Sequence, residues 1–152
     1  MLPQYYRIIV VNNSGQTLTY NNNGRINVKM TAWKIDTTNG DIVYTQLADD
    51  DCSFGAGDTT ADGGEDKSDE INNTANEYLG LQVQLEITHD EGAAADGTFD
   101  LYLDGGDASG ELASDASGYA SAEANKLACI GSLTWESNGL DDEVMRSSVI
   151  NI

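Results

Sequence analysis

The sequence predicts an all-β protein built as one antiparallel β-sandwich domain or a small barrel. Three observations support this: several short segments alternate apolar and polar residues, turn-prone Asn-Gly and Asp-Gly pairs separate them, and no segment has a convincing amphipathic-helix period. A chain of 152 residues is long enough for one domain with a real core, whereas two domains would each be thin. We therefore treat residues 1–152 as a single domain.

The first half of the chain contains four strand patterns. Each is rich in β-branched or aromatic residues, and turn-prone stretches separate them. The third pattern changes face after Met30, because Trp33 and Ile35 fall on the side opposite to the earlier apolar residues. That change predicts a bulge, or a strand covered on both sides. The four predicted strands are residues 5–11, 18–20, 25–35 and 42–47.

The clearest strand pattern lies at residues 78–89, where every second residue from Leu79 to Ile87 is apolar. A period of two places one row in the core and the other toward solvent or a partner. The alternation returns at residues 98–103, and we expect these two strands to form a hairpin joined by a long loop. Two further strands are predicted at residues 126–135 and 144–152. Six or more strands favour a sandwich of the jelly-roll or immunoglobulin-like type.

Two segments lack the apolar content that ordering requires. Residues 49–70 contain nine acidic residues and one lysine, which predicts a long acidic loop exposed to solvent. Residues 104–125 are mainly Gly, Ala, Ser and Asp, and we predict a second loop there with one helical turn at 121–126. No segment has the length of a membrane span or the composition of a signal peptide.

The charge of the chain is strongly negative. It has 26 acidic and 7 basic residues, a formal net charge of −19, which disfavours nucleic acid and anionic membranes as partners. The first 35 residues contain no acid at all. Two interpretations are open: these N-terminal strands pair with acid-bearing neighbours inside the fold, or they face an acidic partner surface. The basic residues concerned are Arg7, Arg25, Lys29 and Lys34.

The side chains that most enzymes depend on are scarce. His89 is the only histidine, and Cys52 and Cys129 are the only cysteines, so a four-ligand Cys/His zinc site within one chain is excluded. There is no phosphate-binding glycine loop and no nucleophile elbow. Carboxylates are abundant, but they lie in small-residue loops without aromatic walls. We therefore predict a protein without catalytic activity; reduced thiols and a 52–129 disulfide both remain open.

Calcium is the one ligand that the sequence suggests, and we expect no other cofactor. Residues 58–69 resemble an EF-hand loop, with oxygen-bearing side chains at the first, third, fifth, ninth and twelfth positions and glycine at the sixth. The pattern departs from that loop where a threonine replaces a carboxylate and an aspartate replaces the final glutamate. No amphipathic helices flank it. The candidate ligands are Asp58, Thr60, Asp62, Asp66 and Asp69.

Four stretches of the chain resemble small β-sandwich virion structural proteins of tailed bacteriophages. They cover residues 78–88, 97–103, 130–135 and 142–147, so the resemblance spans roughly the C-terminal half. It implies a component of the virion that is assembled in the host cytoplasm. The first candidate is a capsid decoration (cement) protein, which binds the outer face of the major capsid protein shell. A tail, head-fibre or baseplate component is the alternative.

The resemblance also suggests which residues make contacts. In a decoration protein the acidic loops would point outward, and a basic patch of Arg7, Arg25, Lys29 and Lys34 would grip the shell. We further expect a homo-oligomer, with a trimer as the first guess, held by strand edges and by the polar row Gln82, Gln84 and Glu86. That row could equally be plain solvent-facing surface.

A small carbohydrate-binding or calcium-binding β-module is a functional alternative of a different class. Such a module needs exposed aromatic side chains near a cluster of loops. Aromatic residues of this size also serve as core or interface residues. The candidates are Trp33, Tyr102, Tyr119 and Trp135.

Overall fold

The computed structural model describes residues 2–19, 25–47, 50–51, 59–89, 97–115, 127–135 and 143–152. Within these ranges the protein is all-β, as predicted, and its one helical element is a three-residue 3-10 turn, Ala113–Asp115. The strands in chain order are β1 (Tyr5–Asn13), β2 (Leu18–Thr19), β3 (Arg25–Ile35), β4 (Ile42–Gln46), β5 (Asp50–Asp51), β6 (Thr59–Thr60), β7 (Glu65–Lys67), β8 (Ile71–Asn72), β9 (Gly80–His89), β10 (Gly97–Gly106), β11 (Ala128–Trp135), β12 (Glu143–Arg146) and β13 (Ile150–Asn151).

Two antiparallel sheets form the two layers of the fold. The first sheet has the order β11-β10-β1-β7, with β8 also paired to β1. The second has the order β12-β9-β3-β4, with β13 paired to β9 and β5 to β3. A short ladder joins β2 to β6. The architecture agrees with the predicted β-sandwich, because each sheet turns one apolar face toward the other.

The core lies between the two sheets and follows the alternation in the sequence. Every second residue of the long strands is buried, and each contributes to one continuous apolar cluster. Burial of these rows is the main favourable term for folding. The cluster includes Tyr6, Ile8 and Val10 from β1, Ile26, Val28, Met30 and Ala32 from β3, Leu81, Val83, Leu85 and Ile87 from β9, and Phe99, Leu101 and Leu133 from β10 and β11.

The predicted hairpin of β9 and β10 is wrong. β9 pairs with β3, β12 and β13, whereas β10 pairs with β1 and β11 in the other sheet. Both strands have an apolar row because they face each other across the core. The alternation therefore identified the buried faces, but it carries no information about which strands share hydrogen bonds.

The predicted bulge is absent from the ladder of β3 to β9. This ladder runs without a shift from the Arg25–Thr88 pair to the Trp33–Gly80 pair. Trp33 belongs to the outer row of β3, so the strand keeps its period of two throughout. A register shift does occur between β10 and β11, at Leu101 and Tyr102 of β10. The ladders of β3 to β4 and to β5 also differ in register by one residue.

The second half of the acidic segment 49–70 is more ordered than a loop. Residues 59–60 and 65–67 form β6 and β7, and the polar residue Ser68 is buried. The Ser68 N–H donates to the Ile8 carbonyl at 2.9 Å, and its hydroxyl oxygen accepts from the Ile8 N–H at 3.0 Å. This segment orders by hydrogen bonding to β1, which compensates for its small apolar content. Residues 52–58 lie outside the described ranges.

The segment 104–125 is likewise a loop only in part. β10 continues to Gly106, and the buried Asp104 carboxylate accepts hydrogen bonds from the N–H groups of Ala113 at 3.1 Å and Ser114 at 2.9 Å. These bonds fix the 3-10 turn against the first sheet. The helical turn predicted at 121–126 lies outside the described residues.

Cys129 is exposed and is a free thiol, whereas Cys52 is outside the described ranges. Among the residues described here, no helix has both the length and the apolar character that crossing a membrane requires.

Candidate functional site

The outer face of the second sheet is formed by the alternate residues that do not enter the core. Opposite pairs on β3 and β9 are Lys29 with Gln84, Thr31 with Gln82, and Trp33 with Gly80. Because residues directly opposite in an antiparallel pair have close Cβ atoms, each pair presents a joint surface. This face is polar in its middle and becomes apolar toward the β3–β4 turn.

A patch of exposed apolar side chains lies at that turn, and we call it the apolar corner: Ile35, Ile42 and Tyr44 on the outer face, with Val43 exposed on the opposite face of β4. Ile42 and Tyr44 are both 57% exposed, and Ile35 is 47% exposed. Ile35 pairs with Ile42, and Tyr44 pairs with Trp33, so the exposed groups form neighbouring pairs on two adjacent strands. Contiguous exposed apolar groups are characteristic of protein contact surfaces.

The strand β4 is also an edge of its sheet. In the described part of the chain its ladder is with β3 alone, so one side of its backbone faces outward. Natural proteins commonly protect such edges with lysine, proline or a bulge. β4 reads Ile-Val-Tyr-Thr-Gln and has none of the three. The apolar corner and the free edge therefore coincide.

The predicted interface row Gln82, Gln84 and Glu86 lies on the outer face, where the C-terminal segment of the same chain contacts it. The Gln82 side-chain amide donates to Asn151 Oδ1 at 3.1 Å, and the Gln84 amide donates to the Ser147 carbonyl at 3.1 Å. These intrachain bonds satisfy donors of the row. Its role in an interface between subunits stays a prediction.

Glu86 is the most constrained member of this row. Its side chain is 5% exposed, and its Oε2 accepts hydrogen bonds from Lys29 Nζ at 3.1 Å and Arg146 Nε at 2.6 Å. Burial by itself raises the pKa of the Glu86 carboxyl, but the hydrogen bonds and charges of Lys29 and Arg146 outweigh it, and the pKa lies below its ordinary value. The three side chains together carry a net charge of +1.

Two of the four predicted basic contact residues are paired with acids inside the fold. Arg7 lies on β1 in the first sheet, with its Nη2 3.9 Å from Glu70 Oε2. Lys29 contacts Glu86 on the second sheet, as described above. These contacts correspond to the first of the two interpretations of the acid-free N-terminal region. Since the two residues are on different sheets, they do not belong to one surface patch.

The other two basic residues are both on β3. Lys34 Nζ donates to the Asn76 carbonyl at 3.1 Å and lies 5.7 Å from the centre of the Tyr78 ring, a cation–π distance. Arg25 is the first residue of β3. Three of the four predicted contact residues therefore share β3 with part of the apolar corner, and Arg7 is separate from them.

The predicted calcium ligands are not gathered into a loop among the described residues. Thr60 is in β6 and Asp66 is in β7, whereas Asp62 accepts a hydrogen bond at 2.9 Å from a backbone N–H after β1. Asp69 is exposed, and Asp58 lies outside the described ranges. The described residues contain no group of three or more His, Cys, Asp or Glu side chains that could hold a metal ion. Calcium binding stays a prediction.

A cavity of about 510 Å³ opens beside the apolar corner, at the end of the sandwich. Its volume is in the range of small-molecule sites. A second depression of about 310 Å³ crosses the polar part of the outer face. The larger cavity is lined by residues that include Leu2, Ile35, Thr37, Asn73, Tyr78 and Leu79.

The apolar corner is the feature that sequence reasoning missed, since residues 42–47 were predicted only as a strand. A usable signal was present: Ile42, Val43 and Tyr44 are three consecutive large apolar residues on a short strand. Because neighbouring residues of a strand point to opposite faces, such a run is either covered on both sides or partly exposed. On an edge strand the second outcome follows.

The aromatic candidates for a carbohydrate site are dispersed. Tyr102 packs against Ile9 and Val11 on the outer face of the first sheet, whereas Trp33 is on the second sheet. Tyr119 and the side chain of Trp135 lie outside what the structure describes. Comparison with protein-family models, curated proteins and solved structures finds no match for the chain.

Proposed function

We propose that this chain is a non-enzymatic structural subunit of a tailed-bacteriophage particle, and specifically a capsid decoration protein on the outer face of the major capsid shell. The observation that carries the proposal is the apolar corner, in which Ile42 and Tyr44 are each 57% exposed on a molecule with a formal charge of −19. An acidic surface keeps a protein soluble, and an apolar patch within it favours a specific protein contact.

The electrostatics of the second sheet support the same assignment. Lys29, Glu86 and Arg146 sum to +1 on the outer face. This cluster therefore lacks the acid excess of the whole chain. A partner surface with acidic groups can approach it with less repulsion than it would meet elsewhere.

The two-sheet scaffold suits a capsid-binding role because it holds the contact face in an ordered conformation. The apolar corner is held by the β3–β4 ladder, and β3 is in turn held by nine paired positions with β9, from Arg25–Thr88 to Trp33–Gly80. A contact face on paired strands is already ordered before binding, so little conformational entropy is lost when the partner binds.

The direct test locates the protein in particles made by the genome that encodes it. Cryo-electron microscopy should show the domain on the capsid exterior, and quantitative mass spectrometry should give a copy number in fixed proportion to the shell subunits. A location restricted to the tail or baseplate would replace decoration with the alternative structural role. Absence from purified particles would refute the proposal.

The contact surface is tested by rebinding of purified protein to particles that lack it. Ile42→Asp should abolish rebinding, because it places an acid in the apolar corner. Thr134→Asp is the matched control, since Thr134 is exposed on β11, an edge strand of the other sheet among the described residues. If the β3 cations contribute, release should increase as salt approaches about 1 M, where the screening length is about 3 Å.

A second candidate function, binding of a small ligand, is favoured by the cavity of about 510 Å³ at the end of the sandwich. Its lining combines apolar residues with the polar residues Asn73 and Thr37, a mixture that is typical of small-molecule sites. Screening a fragment library by NMR, with Leu79→Trp to fill the cavity, would test it. Fragment shifts that persist in the filled variant would exclude this site.

A further inference from the structure

We propose that two copies of this chain associate through β4, by antiparallel pairing of the two edge strands about a two-fold axis at Tyr44. The inference concerns the free protein in solution and goes beyond the proposed function, because it names a second copy as the occupant of the edge. It rests on the direction of the backbone groups, the symmetry of the side chains and the distribution of charge along β4.

The backbone hydrogen bonds of β4 alternate in a way that fixes the register. At one end of the β3–β4 ladder the Asp36 N–H donates to the Asp41 carbonyl at 2.8 Å, and at the other end the Leu47 N–H donates to the Met30 carbonyl at 2.9 Å. In an antiparallel ladder the bonded positions alternate. The odd-numbered residues of this segment therefore bond to β3.

The even-numbered residues consequently direct their N–H and C=O groups to the open edge. These residues are Ile42, Tyr44 and Gln46, which are spaced symmetrically about Tyr44. A second β4 strand in the opposite direction would place Tyr44 against its own copy and Ile42 against Gln46. All outward donors and acceptors of both strands would then be paired, in one closed and self-complementary contact.

The side chains are compatible with the same axis. Tyr44 already pairs with Trp33 on β3. In the dimer, four adjacent strands would each carry one aromatic side chain. Across the joined sheets the order would be Trp33 and Tyr44 of one copy, then Tyr44 and Trp33 of the second copy. Aromatic cross-strand pairs are among the favourable contacts in sheets. The outer-face residues of the two apolar corners, Ile35, Ile42 and Tyr44, would become one continuous surface.

The charge distribution permits close approach at the centre of this contact. Residues 42–48 contain no charged side chain in a chain of net charge −19, so the paired strands bury no charge. In the sequence the nearest acids lie at the two ends, with Asp41 before β4 and Asp49, Asp50 and Asp51 after it. Because the strands are antiparallel, the Asp41 end of one copy lies near the Asp50 end of the other, and these acids repel.

The size of the contact predicts a reversible dimer. β4 has five residues, so the interface is at the small end of specific protein contacts, where weak and transient association is usual. Repulsion between the strand ends predicts that association strengthens as ionic strength rises from about 0.01 M to about 0.15 M, since the screening length falls from about 30 Å to about 8 Å. Attachment through cations would show the opposite salt dependence.

The test is a charge-swap experiment at the two-fold position. Sedimentation equilibrium of the full chain should show a monomer–dimer equilibrium, and Tyr44→Lys or Tyr44→Asp alone should raise the dissociation constant about tenfold or more, because like charges meet at the axis. A 1:1 mixture of the two variants should restore association, since lysine then lies opposite aspartate.

Two controls separate an effect at β4 from a general effect of added charge and from misfolding. Thr134→Lys and Thr134→Asp, on the edge of the other sheet, should leave the dissociation constant unchanged. Circular dichroism should show that each Tyr44 variant is folded, which its high exposure favours. A wild-type protein that stays monomeric at several hundred micromolar, a trimer, or charge-swap variants that fail to rescue each other would each overturn the inference.

Discussion

The indole ring of Trp33 lies against the backbone of Gly80 on the neighbouring strand. The two residues are opposite in the β3–β9 ladder, and a Cβ atom added to Gly80 would collide with the indole and lie 2.6 Å from the Ile152 carbonyl oxygen. Because Gly80 has no side chain, the Trp33 ring has room to lie on the outer face. Trp33 in turn lies beside Tyr44, so this contact supports the apolar corner.

Gly80→Ala should displace Trp33 and destabilise the protein by about 1–3 kcal/mol, the usual cost of overpacking a close contact. The measurement is chemical denaturation together with tryptophan fluorescence, which should shift to the red as the indole becomes more exposed. The chain has two tryptophans, so Trp33 is the only tryptophan in a Trp135→Phe background and the fluorescence change can be assigned to it.

Gly106→Ala is a matched control for this substitution. Gly106 is also a strand residue, but the nearest atom to an added Cβ is the end of the Leu112 side chain at 3.2 Å, which can move. We expect its fluorescence to match that of the parent protein. Equal red shifts in both variants would show that the Trp33–Gly80 contact has no special role.

Glu86→Gln should destabilise the protein at neutral pH by about 1–3 kcal/mol, because a buried carboxylate loses two charge-assisted hydrogen bonds. Lys29 and Arg146 are 37% and 54% exposed, so water recovers part of the loss and the lower half of that range is expected. Glu111→Gln, at an exposed position, should change the unfolding free energy by less than about 0.5 kcal/mol.

The effect of Glu86 should also depend on pH. Its pKa is lowered by the bonds from Lys29 and Arg146, so folding favours the ionised form. The stabilisation is complete above the ordinary carboxyl pKa of 4.5 and is lost as the pH falls through the lower folded value. Urea denaturation from pH 7 to pH 3 should show the wild type and Glu86→Gln converging only at the acidic end; a constant difference would contradict this account.

Asn12→Ala should cost about 2–3 kcal/mol, because Asn12 is fully buried and ties the acidic segment to β1. Its Nδ2 donates to the carbonyls of Gln16 and Thr60, each at 2.9 Å, and its Oδ1 accepts from the Ser14 hydroxyl at 2.6 Å. Native-state hydrogen exchange should locate the loss of protection in β6 and β7. Uniform loss across both sheets would argue against a local anchoring role.

Burial within the long strands could be predicted from the sequence because it depends on a local period. Leu81, Val83, Leu85 and Ile87 alternate with polar residues, and all four are fully buried. Strand pairing could not be predicted in this way. The partners of β9 are 47 or more residues away along the chain, and an apolar row fits equally well beside a neighbour in its own sheet or opposite one across the core.

The candidate site was harder to predict because its chemistry depends on tertiary position. Ile42 and Tyr44 have the composition of a core strand, and only their place on a sheet edge exposes them. Ser68 and Glu86 show the opposite case. They are polar residues that are nevertheless buried, because distant segments of the chain supply their hydrogen-bond partners. At these positions burial therefore depends on tertiary position and not on residue type alone.

Tyr6→Phe should stabilise the protein, by about 1 kcal/mol, because it removes a buried hydroxyl that has no hydrogen-bond partner in the described part of the chain. Burial, with a smaller contribution from Tyr78, raises the pKa of Tyr6 from 10.0 to about 12, so folding favours the neutral phenol. The contribution of this pKa shift to the free energy of unfolding is fully present below pH 10 and is lost as the pH rises toward 12. Urea denaturation between pH 8 and pH 11 should show the advantage of Tyr6→Phe growing with pH. Parallel curves for Tyr6→Phe and the wild type would mean that the Tyr6 hydroxyl is not confined to the core.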